Sequence, residues 1–172
     1  MSAIRSTADM ARRLGAQLQG ADAGFERVCT DTRKLLPGDL FVALQGPNFD
    51  GHDYLRRAAM LGASAALVSR PIDTALPQVQ VEDVLDGLQR YAASWRADFS
   101  LPVVGITGSN GKTTVRALCE AVLAPMGPVL ATEGNLNNHI GLPLMLSRLE
   151  PTHAAAVLEM GANHIGEIAA LA

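Results

Sequence analysis

Aromatic residues are scarce in this sequence, 4% of 172 positions. Its interior must therefore be built from alanine, leucine and valine rather than from large rings. Cysteine is scarcer still. Cys29 and Cys119 stand alone, in no paired motif, which leaves no disulfide framework and fits a reducing cytoplasm. No excess of positive charge exists: 14 basic residues face 17 acidic ones, for a net charge of −3. A nucleic-acid partner would call for a basic face. Any phosphate must instead be held locally, by a loop. No apolar run is long enough to span a bilayer, so no membrane insertion is expected. Residues Met1 to Gly20 carry Arg5, Arg12 and Arg13 and no continuous apolar stretch, which argues against a signal peptide. His139, His153 and His164 follow no zinc spacing. There is no internal repeat and no low-complexity segment.

What is present is globular: 48% hydrophobic and 18% charged residues, enough chain for one large or two small domains. Ser6 or Thr7 can cap a first helix that carries Ala11, Leu14 and Leu18 on one face and stops before Gly20. Strands are expected near Val28 to Thr32 and over Leu40 to Leu44, parted by the turn Pro37-Gly38-Asp39. Gln45 to Asp53 reads as a loop, and Tyr54 to Leu61 as a helix ended by Gly62. Ala65 to Ser69 and Val79 to Val81 are further strand candidates. Val84, Leu85, Leu88, Tyr91, Ala92 and Trp95 recur at helical spacing between Glu82 and Asp98, the expected junction of domains, with Trp95 packed there. Beyond Pro102 strands alternate with helices: Val103 to Thr107, Lys112 to Leu123, Val129 to Thr132, Leu142 to Leu149, Ala154 to Glu159, and a helix from Gly166. Alternation of this kind implies a parallel sheet. The fold class is α/β: a small mixed domain over 1–82, then the first part of a parallel-sheet phosphate-loop domain over 83–172. Three strands are thin for a parallel sheet, so the chain reads as part of a longer protein.

The strongest signal is Gly105-Ile106-Thr107-Gly108-Ser109-Asn110-Gly111-Lys112-Thr113-Thr114. A buried strand enters a tight turn, and a helix starts at the lysine. Inward-facing N–H groups in such a turn form an anion nest, and the helix start adds partial positive charge. Gly108 and Gly111 clear space for phosphate. Lys112 can reach the β- and γ-phosphates, and the Thr113 hydroxyl can bind Mg²⁺. Ile106 occupies a slot where the general phosphate-loop pattern has glycine. Glu159, at the end of the apolar run Ala155 to Leu158, is either a solvated or capping acid or a ligand for Mg²⁺; the loop favours the second. Gly134-Asn135-Leu136-Asn137-Asn138-His139-Ile140-Gly141 carries too many amides for a core. It either caps the helix at Leu142 or lies at the ligand-binding edge of the sheet. Cys119, beside Leu118, Val122 and Leu123 on the helix after the loop, reads as core.

Thr107 to Thr114 resembles the ATP loop of the Mur ligases and of their relative folylpolyglutamate synthetase. Asn135 to Gly141 and Glu159 to Ile168 resemble Mur ligase segments too. So does the N-terminal stretch Asp31-Thr32-Arg33, Pro37 to Ala43 and Gly46 to His52, which is similar to the UDP-binding domain of that family. The resemblance spans nearly the whole chain and implies amide-bond formation through an acyl phosphate in cell-wall synthesis. It is nearest to members that join D-alanyl-D-alanine to UDP-N-acetylmuramoyl-tripeptide, with the diaminopimelate- or lysine-adding ligases as neighbours. On this resemblance ATP is held by Gly108, Ser109, Asn110, Gly111, Lys112, Thr113 and Thr114, and Mg²⁺ by Thr113 and Glu159. Lys112 and Asn138 are the catalytic candidates. Thr32, Arg33, Asn48, His52 and Asn137 are the candidates for the UDP-linked substrate. Arg33 would pair with diphosphate, unless it forms a surface salt bridge; His52 would meet uracil or sugar, unless it is merely packed. His164 could orient Glu159 or a substrate, and no catalytic role is assigned to it. A cytoplasmic monomer is implied, as are further active-site residues that 172 positions do not include, so ligase activity is not expected of this chain alone. Two other classes stay open: a nucleotide switch or transport NTPase, and a UDP-sugar-binding module without chemistry.

Overall fold

The computed structural model describes residues 5–162 and 166–171. Two compact units form, Met1–Ser94 and Trp95–Ala172.

In the first unit, helix α1 (Thr7–Leu14) starts where Ser6 accepts the Asp9 N–H. It ends earlier than the sequence suggests: Gly15 caps it, its N–H reaching the Ala11 and Arg12 carbonyls. Leu18 is therefore not helical but lies in a short strand, β1 (Gln17–Gln19). Strands β2 (Val28–Cys29) and β3 (Leu40–Val42) follow. The stretch from Gln45 is not an open loop. It folds as a hairpin, β4 (Gln45–Gly46) against β5 (Phe49–Asp50), continued by a 3-10 turn over Gly51–Tyr54. Helix α2 (Leu55–Met60), β6 (Ala65–Val68), β7 (Gln78–Gln80) and helix α3 (Val84–Arg96) complete the series. The sheet order is β1-β7-β6-β3-β2, parallel except where β1 meets β7. Its central strands β3 and β6 are buried throughout, as unbroken aliphatic runs require. Asp39 is buried as well, paired through both oxygens with Arg27, an ion pair that the turn residues alone did not announce.

The sequence placed the domain boundary at residue 82, before α3, whereas the division falls near the end of that helix. Arg90 donates to the Leu14 carbonyl and Arg13 to the Ser94 carbonyl, and the rings of Tyr91 and Phe25 meet at 6.1 Å. Most of α3 thus belongs with the first unit. Trp95 begins the second, buried, its indole N–H donating to the Leu149 carbonyl.

The second unit contains β8 (Val103–Ile106), helix α4 (Lys112–Leu123), β9 (Val129–Ala131), helix α5 (Gly141–Leu146), β10 (Ala155–Glu159) and helix α6 (Glu167–Leu171). Its sheet is parallel, in the order β8-β10-β9. Only β10 is buried along its whole length, because it alone has a partner on each side. β8 is an edge strand with Val103 exposed, not the buried strand expected. Val115, Leu118 and Val122 of α4 are exposed too, and Cys119 is half-buried, so the expected core role of that face is corrected. Three strands do not cover a twelve-residue helix.

Candidate active site

The second unit brings two of its sequence signals together. β8 delivers the chain into the exposed loop Thr107–Gly111, and α4 starts at Lys112. Gly111 caps the helix start with φ +77, a conformation costly for residues with a Cβ. A Cβ there would meet nothing within 4 Å, so it is backbone conformation, not crowding, that calls for glycine. The Lys112 ammonium folds back over the loop and donates to the Gly108 carbonyl at 2.7 Å, which leaves it poised over the turn.

Parallel pairing sets Glu159 beside Ile106, the last residue of β8. The Met160 N–H donates to the Ile106 carbonyl, and the Glu159 N–H to the Thr132 hydroxyl. The Glu159 side chain is 3% exposed. Its Oε2 accepts from the Thr113 hydroxyl at 3.3 Å and its Oε1 from Arg116 Nε at 3.0 Å. Arg116 also donates to Glu120, one helical turn on. Nothing in the sequence drew attention to Arg116, since a basic residue on a helix ordinarily reads as a solvated face.

The pair Thr113 and Glu159 offers two hard oxygens on one spot. That donor set suits Mg²⁺, which commonly takes one or two protein oxygens and fills its octahedron with water and phosphate. Among the described residues no cluster of three or more histidines, cysteines or acids could hold a metal ion.

Asn138 does what a capping asparagine does: its Oδ1 accepts from the N–H groups of Ile140 and Gly141. Asn137 is tied instead to the segment after Glu159. Its carbonyl accepts the Gly161 N–H at 2.7 Å, and a Cβ on Gly161 would touch its side chain at 3.3 Å. Of the two asparagines it is Asn137 that adjoins the segment following Glu159. Asn163 and His164 lie outside the described residues, and His153 accepts the Glu150 N–H at Nδ1.

In the first unit a cavity of about 470 Å³ opens between the Thr30–Arg33 turn and the hairpin segment. Thr32 and Arg33 line it, joined by Phe49, Tyr54 and Arg57, which the sequence reading did not select. Arg33 is already paired: its guanidinium grips both Asp31 oxygens. Through those bonds, and the Arg33 backbone N–H, the Asp31 carboxyl falls to a pKa of about 2. Asn48 sits exposed at the tip of the hairpin.

His52 departs from its expected role. Its side chain is fully buried, with Nδ1 against Asp50 at 2.6 Å and Nε2 accepting the Ser69 N–H at 3.0 Å. Both ring nitrogens are committed within the unit, and the ring fastens the hairpin segment to the end of β6. Gly51 permits this by close approach, since a Cβ there would lie 2.6 Å from the Leu44 carbonyl oxygen. Burial pushes the Asp50 carboxyl up, but the His52 N–H, Arg70 and the His52 ring outweigh it and hold it well below the usual carboxylate range.

Comparison with known proteins matches both units. Residues 24–96 fit the model described as "Mur ligase family, catalytic domain", and residues 106–172 fit "Mur ligase middle domain". A UDP-N-acetylmuramoyl-tripeptide--D-alanyl-D-alanine ligase of Escherichia coli is 51% identical over 156 residues, covering 91% of this chain and 34% of its own length. The structure of the corresponding D-alanyl-D-alanyl ligase from Acinetobacter baumannii superposes with a TM-score of 0.91 at 35% identity, covering 99% of this chain and 39% of that one. The MurF ligase of Thermotoga maritima, solved with ADP, superposes at 0.73 with 36% identity, over 85% of this chain and 34% of that one. The chain thus spans about a third of the length of the relatives it matches.

Proposed function

The chain belongs to the Mur ligase family, and on that premise we propose that it serves a ligase joining D-alanyl-D-alanine to UDP-N-acetylmuramoyl-tripeptide with ATP. In this reading residues 1–94 carry the UDP-linked substrate and residues 95–172 the nucleotide. One observation carries the nucleotide reading: Thr113, next to the loop lysine, and Glu159, from the neighbouring strand, converge on one hydrogen bond at the mouth of the phosphate loop.

The chemistry divides into two steps. An oxygen of the tripeptide's terminal carboxylate bonds to the γ-phosphorus of ATP, and ADP leaves. The dipeptide amine then bonds to the acyl carbon, phosphate leaves, and the amine proton passes to solvent. The first step brings anions together, so its barrier is electrostatic. Lys112 turns from the Gly108 carbonyl to the phosphates. The loop from Gly108 through Ser109, Asn110 and Gly111 to Thr114 offers backbone N–H groups to them. Thr113 and Glu159 would hold Mg²⁺, which would supply charge neutralisation for the phosphates. Asn137, tied to Gly161, is the candidate to contact the reacting carboxylate; Asn138 keeps the loop beside it in shape through its cap.

For the UDP-linked substrate the cavity offers Phe49 and Tyr54 for a flat apolar group and Arg57 for an anion, with Thr32 and Arg33 at its wall. A cytoplasmic location follows from the substrates. The test is phosphate release by the full-length protein with each substrate omitted in turn. Release should require ATP, Mg²⁺, the UDP-tripeptide and the dipeptide together. ATP turnover without the UDP-tripeptide would point to a nucleotide switch and overturn the ligase reading.

A further inference from the structure

Glu159 is a carboxylate with 3% of its side chain exposed. An ionised carboxylate so placed needs a cation beside it, or burial becomes prohibitive. The nearest loop cation does not supply one, because the Lys112 ammonium is turned to the Gly108 carbonyl. Arg116 does. Its side chain is 20% exposed, its Nε lies 3.0 Å from Glu159 Oε1, and Oε2 is left to the Thr113 hydroxyl. The two carboxylate oxygens thus have separate partners, one cationic and one that a metal could share. Arg116 is itself divided, since its Nη1 lies 2.9 Å from Glu120, which is 43% exposed and so easily reached by water.

We propose that Arg116 is a positioning residue that acts as resident counter-ion of Glu159, and that Glu120, by drawing on Arg116, sets how tightly Glu159 can hold a divalent cation. The physics is a competition. A cation already on Oε1 lowers the negative potential felt at Oε2, a few ångströms away. Removing Arg116 leaves the buried carboxylate uncompensated and more receptive to Mg²⁺. Removing the charge of Glu120 does the opposite, since Arg116 then gives itself wholly to Glu159. Neither residue touches nucleotide or metal in this scheme.

This inference rests on the nucleotide reading above. Its test is binding rather than turnover: a ribose-labelled fluorescent ATP analogue is bound to the full-length protein while Mg²⁺ is titrated, and thermal melts are recorded with and without Mg²⁺. Arg116→Gln should lower the half-saturating Mg²⁺ concentration on the order of tenfold, melt earlier without metal, and gain more from Mg²⁺ than the parent. Arg116→Lys should stay near the parent. Glu120→Gln should raise the half-saturating Mg²⁺ concentration severalfold. Shifts of one sign in both the Gln variants, or none in either, would overturn the proposal while leaving the nucleotide reading intact. Binding by the parent that ignores Mg²⁺ would overturn both.

Discussion

Two side chains show what a single residue contributes here. Lys112 is the first. Its ammonium rests 2.7 Å from the Gly108 carbonyl, so it needs little motion to meet phosphate in the same turn. Lys112→Ala should lower the ligation rate by on the order of 10²–10³-fold, the usual loss when one preorganised charge is deleted, with the unfolding midpoint little changed; a kcat measurement beside a denaturant melt checks both. His52 is the second. Because the Ser69 N–H occupies Nε2, the ring proton sits at Nδ1 and faces Asp50. His52→Ala would leave both partners without it, at a cost of about 2–4 kcal/mol, read from a urea midpoint. The loop lysine was legible because Gly-Lys-Thr-Thr after an apolar strand has few other uses. His52 was not, since one histidine in a polar stretch reads equally as a ligand or as packing; only the fold shows what closes over it. Arg116 was hidden for a related reason: the residue that it balances lies 43 positions away.

At the level of elements, the cavity of the first unit is framed by two short polar segments, each tied by an acid. Asp31 holds the turn before Arg33, and Asp50 holds the hairpin through His52, Arg70 and Gln45. Both carboxyls titrate below their ordinary value of about 4. A depressed folded value means stability that is complete above the ordinary pKa and is lost as pH falls through the folded one. For Asp31 that window runs from roughly 4 down to about 2. Denaturant midpoints of the parent should drop across it, and those of Asp31→Asn should drop less. Helix α4 was readable to the residue, because a glycine turn, a lysine and a helical apolar pattern coincide. The strand Gln17–Gln19 and the hairpin around Phe49 were not. Strands of two or three mostly polar residues carry no alternation to detect, and their pairing is decided by β7 and by the Asp50 cap rather than by their own sequence.

For the whole molecule, the division at Ser94 and Trp95 puts the chain's one tryptophan in the second unit. Trp95 emission should therefore report on the second unit together with the last turn of α3, while far-UV circular dichroism follows the whole chain. Nucleotide with Mg²⁺ should raise the transition seen by fluorescence. The UDP-linked substrate should raise the portion of the dichroism transition that fluorescence does not see; a shift of the Trp95 transition by the UDP compound alone would reassign the substrate units. The boundary itself was blurred in the sequence because the apolar stripe of α3 runs its whole length, and periodicity does not say which unit each turn serves. The alternation of strands and helices after Pro102, by contrast, announced a parallel sheet before any contact was known. That sheet has a consequence for tolerance to insertion and deletion. Glu159 meets the end of β8 only because Ala156 pairs with Val103 and each later residue keeps step. Adding one residue inside β10 would turn the acid to the opposite side and disarm the site without touching a single reactive group, whereas the same addition at the exposed Glu150-Pro151-Thr152 bend should pass almost unnoticed.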